Sequence, residues 1–429
     1  MYTHTGNSFL QRTPAATDPD GKAGCQDQPL LPYQRYFLDY QLYSPRSVIM
    51  NVPLLCRIPA GAVDVCALKE AVDRVFHYYA VFGTVFTFNE EGSLVQRCRP
   101  ELIPDVEVQY CSEEEFQTRE KRAFVQPFHL VDSLLWRHKI MVTEKNVWLL
   151  TDFHHTISDK GMCMVIYRQI FNVLQGQEPI PDQYYLYLEQ YAEKMKTPQA
   201  ASDLQQLALL YKDTWSRFPK PDYESRQNGQ GVCWLQTTHS LRLYKDAAKA
   251  CGASLGMILN AAGLLALSRY NHESKVEIEW IYHGRPEAWQ KDLAGLMIEG
   301  IPAAMDFDEL TTRAQILQEA RRQFDLGHRC CEYSYGLRSM SPTRFESMKI
   351  CYLPGSDDPG NLPEGSDITV WMEPMEGMLC LALIVIAENG PSLPLALRCA
   401  YQSTRYSAGS IEKLLRLFSE ALDELLPEE

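Results

Sequence analysis

Residues 147–159 read VWLLTDFHHTISD, and this stretch joins a predicted strand to a predicted helix. The first seven residues are rich in β-formers and alternate between two faces, which predicts a strand. Beyond the stretch, apolar residues recur at three- and four-residue intervals, at Met162, Val165, Ile166, Ile170 and Leu174. This spacing predicts an amphipathic helix that Ser158 or Asp159 can cap. The two adjacent histidines therefore lie where a strand ends and a helix begins.

The turn that carries His154 and His155 is a favourable position for chemistry. Side chains at a strand end are held by rigid structure, and the first N–H groups of a helix point toward negative charge. One imidazole can face a cleft while its neighbour packs inward, and a carboxylate such as Asp159 can hold the turn. Adjacent histidines also occur as capped surface pairs without chemistry, so the spacing alone does not establish a function.

The chain of 429 residues is long enough for two packed lobes. We expect residues 1–28 to be a flexible lead-in, 29–176 to form an N-terminal lobe that carries the histidines, and 177–429 to form a C-terminal lobe. Each lobe combines predicted strands with covering helices, which is typical of α/β architecture.

Hydrophobic spacing predicts six further segments. They are a helix that begins at Asp64, a strand over 81–88, helices over 241–251 and 255–270, a strand over 275–282 and a helix over 410–426 that packs along a sheet. Gly252 separates two of these helices and suits a left-handed cap. Residues 184–194 and 201–218 also carry helical spacing, and we expect them to bridge the lobes rather than to form either core.

Composition argues against several classes of function. Hydrophobic residues make up 45% of the chain, but no apolar stretch approaches the roughly 20 residues that span a bilayer, so we expect no membrane association. The net charge of -14 disfavours nucleic acid as a partner. The N-terminus does not resemble a secretory signal, and the 13 cysteines include no CxxC pair, which favours free thiols and no metal site. We expect a soluble, cytoplasmic monomer.

Motifs spread over the chain carry a family resemblance. His154, His155 and, after three residues, Asp159 are similar to the HHxxxDG motif of the condensation domains of nonribosomal peptide synthetases, which belong to the chloramphenicol-acetyltransferase-like superfamily. Further stretches resemble the same family in the same order. They are LPYQR at 31–35 followed by Asn51, QPFHL at 126–130 followed by Arg137, with His129 at the usual aspartate, and Gly284-Arg285 followed by Gly295 and Pro302.

The resemblance implies a fold and a set of roles. The fold is α/β, with two chloramphenicol-acetyltransferase-like lobes that form a pseudo-dimer and hold the active site in a tunnel between them. By position, His155 matches the catalytic histidine, while His154 and Asp159 match positions with mainly structural roles. The family's motif aspartate pairs with an arginine in the region of Arg285, and an unpaired buried charge would be costly.

The implied activity is acyl transfer in natural product biosynthesis, namely formation of a peptide bond. The donor acyl or aminoacyl thioester and the acceptor aminoacyl amine are both carried on the 4'-phosphopantetheine of peptidyl carrier proteins. An adenylation domain can adjoin the domain in a larger synthetase. The resemblance implies no permanently bound cofactor.

Two positions depart from the family pattern. Lys160 stands at the motif glycine, followed by Gly161. Either Gly161 takes over the turn, or Lys160 points along the tunnel toward substrate or phosphate, or the site is impaired. Glu299 stands at a usual asparagine, as a carboxylate near the tunnel or, in the favoured interpretation, as an exposed loop residue.

Alternative functions follow from these departures. Lys160 motivates a catalytically impaired, condensation-like domain that recruits carrier proteins or a partner. Residues 282–285 also resemble epimerization domains, a minor alternative that needs a second acid or base, for which Glu279 is the nearest carboxylate. A free-standing acyltransferase that uses a free amine or alcohol is another minor alternative.

Overall fold

The computed structural model describes residues 27–43, 45–210, 215–225, 229–330, 347–354, 360–370 and 382–426. Of the expected lead-in over residues 1–28, only Asp27 and Gln28 lie within these ranges, and Gln28 begins a strand. The division of the chain at residue 177 stays a prediction.

Strands and helices of the described residues mix along the chain. The strands are β1 (Gln28–Pro29), β2 (Asn51–Pro59), β3 (Thr84–Phe88), β4 (Leu94–Cys98), β5 (Glu107–Tyr110), β6 (Trp136–Val142), β7 (Asn146–His154), β8 (Gln230–Ser240), β9 (Lys275–Tyr282), β10 (Glu299–Asp306), β11 (Lys349–Leu353), β12 (Asp367–Val370), β13 (Ala382–Ala387) and β14 (Pro394–Gln402). The α-helices are α1 (Pro32–Tyr43), α2 (Val65–Tyr78), α3 (Glu113–Glu115), α4 (Lys121–Phe124), α5 (Lys160–Leu174), α6 (Tyr184–Met195), α7 (Pro198–Ala208), α8 (Leu241–Ala250), α9 (Leu255–Asn271), α10 (Arg313–Cys330) and α11 (Ala408–Glu424). A π-helical segment, Phe116–Glu120, joins α3 to α4.

The first lobe is built on a five-stranded mixed sheet in the order β12-β2-β7-β6-β5. The predicted helix at Asp64 is confirmed, because the Asp64 side chain accepts a hydrogen bond from the Ala67 N–H at the start of α2. The strand predicted over 81–88 is shorter, since Ala80–Gly83 form a 3-10 turn that the Thr84 hydroxyl closes by donating to the Ala80 carbonyl. Together α2 and α5 bury their apolar faces in the core of this lobe.

The second lobe is built on a six-stranded mixed sheet in the order β10-β9-β11-β13-β14-β8. β11 runs parallel to both of its neighbours, and the other pairs are antiparallel. The predicted helices at α8, α9 and α11 and the predicted strand at β9 are confirmed. Gly252, between α8 and α9, has a φ of +63°, the left-handed conformation expected there.

The two helices that we expected to bridge the lobes each join a core instead. In α6, Tyr184, Tyr187 and Leu188 are buried in the core of the first lobe, and in α7 Leu207 is buried in the core of the second. Tyrosine rings supply apolar area although the hydroxyl is polar, and the Tyr184 hydroxyl donates to Gln96 Oε1 at 2.7 Å. The helix predicted over 201–218 ends at Ala208, while residues 211–214 lie outside the described chain.

One strand from the C-terminal part of the chain completes the edge of the first sheet. β12 comes from the C-terminal part of the chain, yet it pairs antiparallel with β2 at the edge of the first sheet.

The ten cysteines within the described ranges are all free, and no metal-binding group of three or more His, Cys, Asp or Glu occurs in that part of the chain. Among the described helices, none by itself is long and apolar enough to cross a membrane, and only α8 and α9 taken together, bent by 97°, reach that length and composition.

Candidate active site

The turn with the two histidines is held by the backbone on both sides. His154 donates its N–H to the Leu135 carbonyl at 2.8 Å, and His155 donates its N–H to the Met50 carbonyl at 2.7 Å. The turn itself closes through a hydrogen bond from the Ile157 N–H to the His154 carbonyl at 3.0 Å. The strand end therefore gives each imidazole a defined starting direction.

His155 has a fixed ring orientation, and its Nε2 has no hydrogen-bond partner within the part of the chain that the structure describes. Its Nδ1 lies 2.7 Å from the Ser158 carbonyl oxygen. Because a carbonyl oxygen only accepts, Nδ1 carries the proton and Nε2 keeps its lone pair. The ring is half-buried and stacks on Phe37, with 4.4 Å between centroids. Burial lowers the pKa of His155, so the imidazole is neutral near pH 7.

His154 faces the other way and is almost fully buried. Its Nδ1 accepts a hydrogen bond from the Thr156 N–H at 3.2 Å, and its ring meets Phe128 edge to face. Nε2 has no hydrogen-bond partner within the described residues. Burial lowers the pKa of His154 to about 3, so this ring also stays neutral. Its surroundings fit packing rather than contact with substrate.

Asp159 joins the two lobes. Oδ1 accepts from the Met162 N–H at 2.8 Å and so caps α5. Oδ2 accepts from Arg285 Nη1 at 2.9 Å and from the Met297 N–H at 2.8 Å, both from the second lobe. Asp159 and Arg285 are only 1% and 6% exposed, so this ion pair is a buried one. The motif turn is thereby tied to the facing lobe.

Arg285 is held on the second lobe by backbone carbonyls. Nη2 donates to the Gly295 carbonyl at 3.0 Å, and Nη1 also donates to the His283 carbonyl at 3.2 Å. The residue before it, Gly284, has a φ of +66°, and a Cβ there would lie 1.5 Å from the Met297 carbonyl oxygen. Only glycine fits at that position. Arg285 is therefore not a solvated arginine at a strand end.

Lys160 and Gly161 occupy different surroundings at the start of α5. Lys160 is exposed, and its positive charge lies near enough to Cys351 of the second lobe to oppose the effect of burial, which raises the pKa of that thiol to about 11. Gly161 is helical, and a Cβ there would lie 2.8 Å from Arg285 Nη1. Gly161 thus supplies space for the ion pair rather than a left-handed turn.

The interpretation of Glu299 as an exposed loop residue is wrong. Glu299 is the first residue of β10, pairs in register with Tyr282 of β9, and is only 6% exposed. Residue 299 already belongs to the strand where a loop was expected, and its carboxylate is therefore buried in the protein. A position beside the tunnel stays a prediction.

The QPFHL stretch and Arg137 come together beneath His154. The Arg137 guanidinium lies 4.1 Å from the centre of the Phe128 ring, and its Nη2 donates to the Gln126 carbonyl at 2.9 Å. Asn51 donates to the same carbonyl and to Asp152 Oδ2. Burial raises the pKa of Asp152 to about 7, although Arg137 at 3.7 Å opposes this.

Sequence reasoning missed the aromatic face of α1. Phe37 stacks on His155, and Tyr33, one turn earlier, donates its hydroxyl to Glu279 Oε1 of the second lobe at 2.7 Å. The same Oε1 accepts from Lys349 Nζ at 2.7 Å. The signal was the helical spacing of Tyr33, Tyr36 and Phe37 beside the LPYQR stretch. Glu279, the carboxylate considered for epimerization, is thus engaged in a buried ion pair.

Two mixed-sheet lobes joined at an HHxxxD turn define the class of this protein. The chain belongs to the condensation domain family, whose family model matches residues 25–428. The predicted α/β fold with two chloramphenicol-acetyltransferase-like lobes is confirmed. The condensation domain from the Monacolin K polyketide synthase MokA matches with a TM-score of 0.75 at 15% identity, covering 92% of this chain and 96% of that one. The X-domain from teicoplanin biosynthesis matches with 0.74 at 16% identity, covering 93% and 96%.

The curated relatives are peptide synthetases. Bacitracin synthase 2 of Bacillus licheniformis is 25% identical over 278 residues, which are 62% of this chain and 10% of that protein. Tyrocidine synthase 2 of Brevibacillus parabrevis is 25% identical over 307 residues, which are 68% of this chain and 8% of that protein. The chain thus spans a tenth or less of the length of these relatives. It is homologous to the condensation domains of nonribosomal peptide synthetases.

Proposed function

We propose that this domain joins a donor acyl or aminoacyl thioester to the amine of an acceptor aminoacyl thioester. Both substrates are carried on the phosphopantetheine arms of carrier proteins and meet at His155 in a tunnel between the lobes. The amine nitrogen attacks the donor carbonyl, the carbon–sulfur bond breaks, and the acyl chain passes to the acceptor as an amide. The displaced pantetheine sulfur receives a proton, and the amine loses one.

The observation that carries the proposal is the state of the His155 ring. With Nδ1–H donated to the Ser158 carbonyl and the ring neutral, Nε2 is an acceptor at a half-buried position. Such a nitrogen can orient the attacking amine and take its proton as the tetrahedral intermediate collapses. An α-amine titrates near pH 8, so much of the rate can come from holding two tethered reactants together.

The other site residues have supporting roles in this proposal. Asp159 and Arg285 hold the motif turn against the second lobe, and Gly161 leaves room for their ion pair. His154 packs beneath the turn. Lys160 is exposed at the start of α5, so its side chain does not crowd the ion pair as a side chain at Gly161 would. This favours an active domain over an impaired one.

The experiment is to incubate the domain with loaded donor and acceptor carrier proteins and to follow the acceptor carrier by intact mass spectrometry. We expect the mass of the acceptor carrier to increase by the donor acyl group. No product across several loaded pairs, with carrier binding retained, would identify a recruiting domain instead. Turnover with a soluble amine or alcohol but not with an acceptor carrier would identify a free-standing acyltransferase.

A further inference from the structure

A buried polar cluster lies where α1 meets the second lobe. It consists of the Tyr33 hydroxyl, Glu279 and Lys349, which are 2%, 3% and 5% exposed. Glu279 Oε1 accepts from the Tyr33 hydroxyl and from Lys349 Nζ, each at 2.7 Å. Gly300 completes the notch, because a Cβ there would lie 2.0 Å from the Tyr33 hydroxyl and 2.2 Å from Glu279 Oε1. The notch therefore admits the tyrosine only because residue 300 is a glycine.

The same face of α1 leads from this notch to His155. Tyr33 and Phe37 are one helical turn apart, with 5.4 Å between their ring centroids. Phe37 in turn stacks on His155 at 4.4 Å and 19°. Tyr33 and Phe37 lie on one rigid helix. A hydrogen bond that holds the Tyr33 hydroxyl therefore also limits rotation of the helix and holds Phe37 in place. The stacked ring then limits the tilt of the imidazole.

We propose that Tyr33 is a positioning residue, which docks into the notch formed by Glu279, Lys349 and Gly300 and thereby orients His155 through Phe37. The proposal deepens the proposed function and rests on it for its effect on turnover. Its effect on the His155 ring is independent of turnover. The proposal requires the Tyr33 hydroxyl and a hydrogen-bond acceptor at residue 279. It does not require the charges of Glu279 and Lys349.

The test reads the histidine ring directly, by nitrogen-15 NMR of the imidazoles in the whole chain, with His155→Ala used to assign the signal. In the wild type we expect the shifts of a ring protonated at Nδ1 only. Tyr33→Phe removes the hydroxyl and keeps the ring, and Gly300→Ala fills the notch. Both should move the His155 signal toward a mixture of tautomers.

Two matched variants separate positioning from general damage. Tyr244→Phe removes another buried tyrosine hydroxyl that donates to a carboxylate at 2.7 Å, that of Asp423 within the second lobe, and should leave the His155 signal unchanged. The double variant with Glu279→Gln and Lys349→Met removes both charges but keeps an acceptor for Tyr33. It should retain the wild-type signal, because neither charge of the Glu279–Lys349 pair is left without the other.

Turnover supplies the second readout. Tyr33→Phe should lower kcat for amide formation about tenfold with KM within about twofold, because orientation of the reacting group is lost rather than binding. A wild-type His155 signal in both Tyr33→Phe and Gly300→Ala would overturn the proposal. If the wild type forms no amide, the proposed function fails, while the NMR comparison still decides whether Tyr33 positions His155.

Discussion

Two buried ion pairs lie beside the candidate site, and they differ in how they connect the lobes. Asp159 and Arg285 come from different lobes, and the carboxylate also caps α5 and accepts from the Met297 N–H. Glu279 and Lys349 are neighbours on the parallel strands β9 and β11 of one sheet, and α1 contacts them through the Tyr33 hydroxyl and the Tyr36 ring, which lies 5.8 Å from Lys349 Nζ. The first pair holds the turn that carries His155, and the second lies behind its stacking partner.

The two ion pairs should therefore differ in how well other residues can replace them. A buried charge that loses its partner is costly, whereas removing both charges can be nearly neutral if the shape is kept. The Asp159 carboxylate also satisfies two backbone N–H groups, so no apolar residue can substitute for it. Glu279 Oε1 instead accepts from two side chains, the Tyr33 hydroxyl and Lys349 Nζ, and an amide oxygen can replace it as the acceptor.

The largest effect is expected from Arg285→Ala. It leaves the Asp159 carboxylate buried without its counterion and should lower the free energy of unfolding by about 3–5 kcal/mol. Thermal denaturation with and without urea measures this, and amide formation should fall with it. Arg322→Ala, which removes a surface pair with Glu319, should cost less than about 1 kcal/mol. Equal melting of Arg285→Ala and the wild type would refute the role of the pair.

The second pair should give a smaller loss that can be reversed. Lys349→Met alone should cost about 2–4 kcal/mol, because Glu279 is left buried but can still accept from Tyr33 or take up a proton. Adding Glu279→Gln should recover most of that loss in denaturant titrations. If the double variant were less stable than Lys349→Met alone, the distinction between the pairs would not hold.

Asp152 extends the comparison to a buried carboxylate whose counterion, Arg137, is 3.7 Å away and is itself 25% exposed. Burial raises its pKa from the ordinary 3.8 to about 7, so the folded protein keeps this proton where the unfolded chain has lost it. Stability should therefore fall as pH rises from about 4 to about 7. Asp152→Asn should lose this dependence and exceed the wild type by up to about 4 kcal/mol at pH 8, with little difference at pH 4. If Asp152→Asn and the wild type differed in stability by the same amount at pH 4 and pH 8, the raised pKa of Asp152 would be contradicted.

The smallest effect concerns the space beside the first pair. Gly161→Ala places a methyl group against Arg285 Nη1 and should destabilise the protein by about 1–2 kcal/mol. Gly409→Ala is a matched helical control, because a Cβ there meets nothing within 4 Å, and it should be neutral or stabilising. Chemical denaturation of the two variants side by side makes the measurement. Equal stabilities would show that Gly161 is not needed for the ion pair.

The sequence was sufficient for the parts of the site that belong to local patterns. Asp159 caps a helix and His155 directly follows a strand, so each has a signal within a few residues, whereas the role of Arg285 was predicted from the family resemblance. Helix α2 and strand β9, which have strong apolar periodicity, and the largely apolar helix α9 were also predicted within one or two residues.

The rest depended on contacts between distant segments. Glu279 and Lys349 become neighbours only through the order of strands in the second sheet, and nothing local to either residue indicates the other. Glu299 looked like a loop residue because a carboxylate at a strand start is usually solvated, but this strand end is buried. Helix α6 was expected to bridge the lobes because it has a polar face, but its tyrosine rings pack in the core of the first lobe.

Single-turnover kinetics with loaded donor and acceptor carriers test whether His155 Nε2 takes part in amide formation. His155→Ala should lower the rate by about 10²–10⁴-fold, the usual contribution of a positioned acid or base. Its melting temperature should stay near that of the wild type, because the ring is half-buried and outside the two ion pairs. Equal turnover by a folded His155→Ala variant would show that His155 Nε2 takes no part in amide formation.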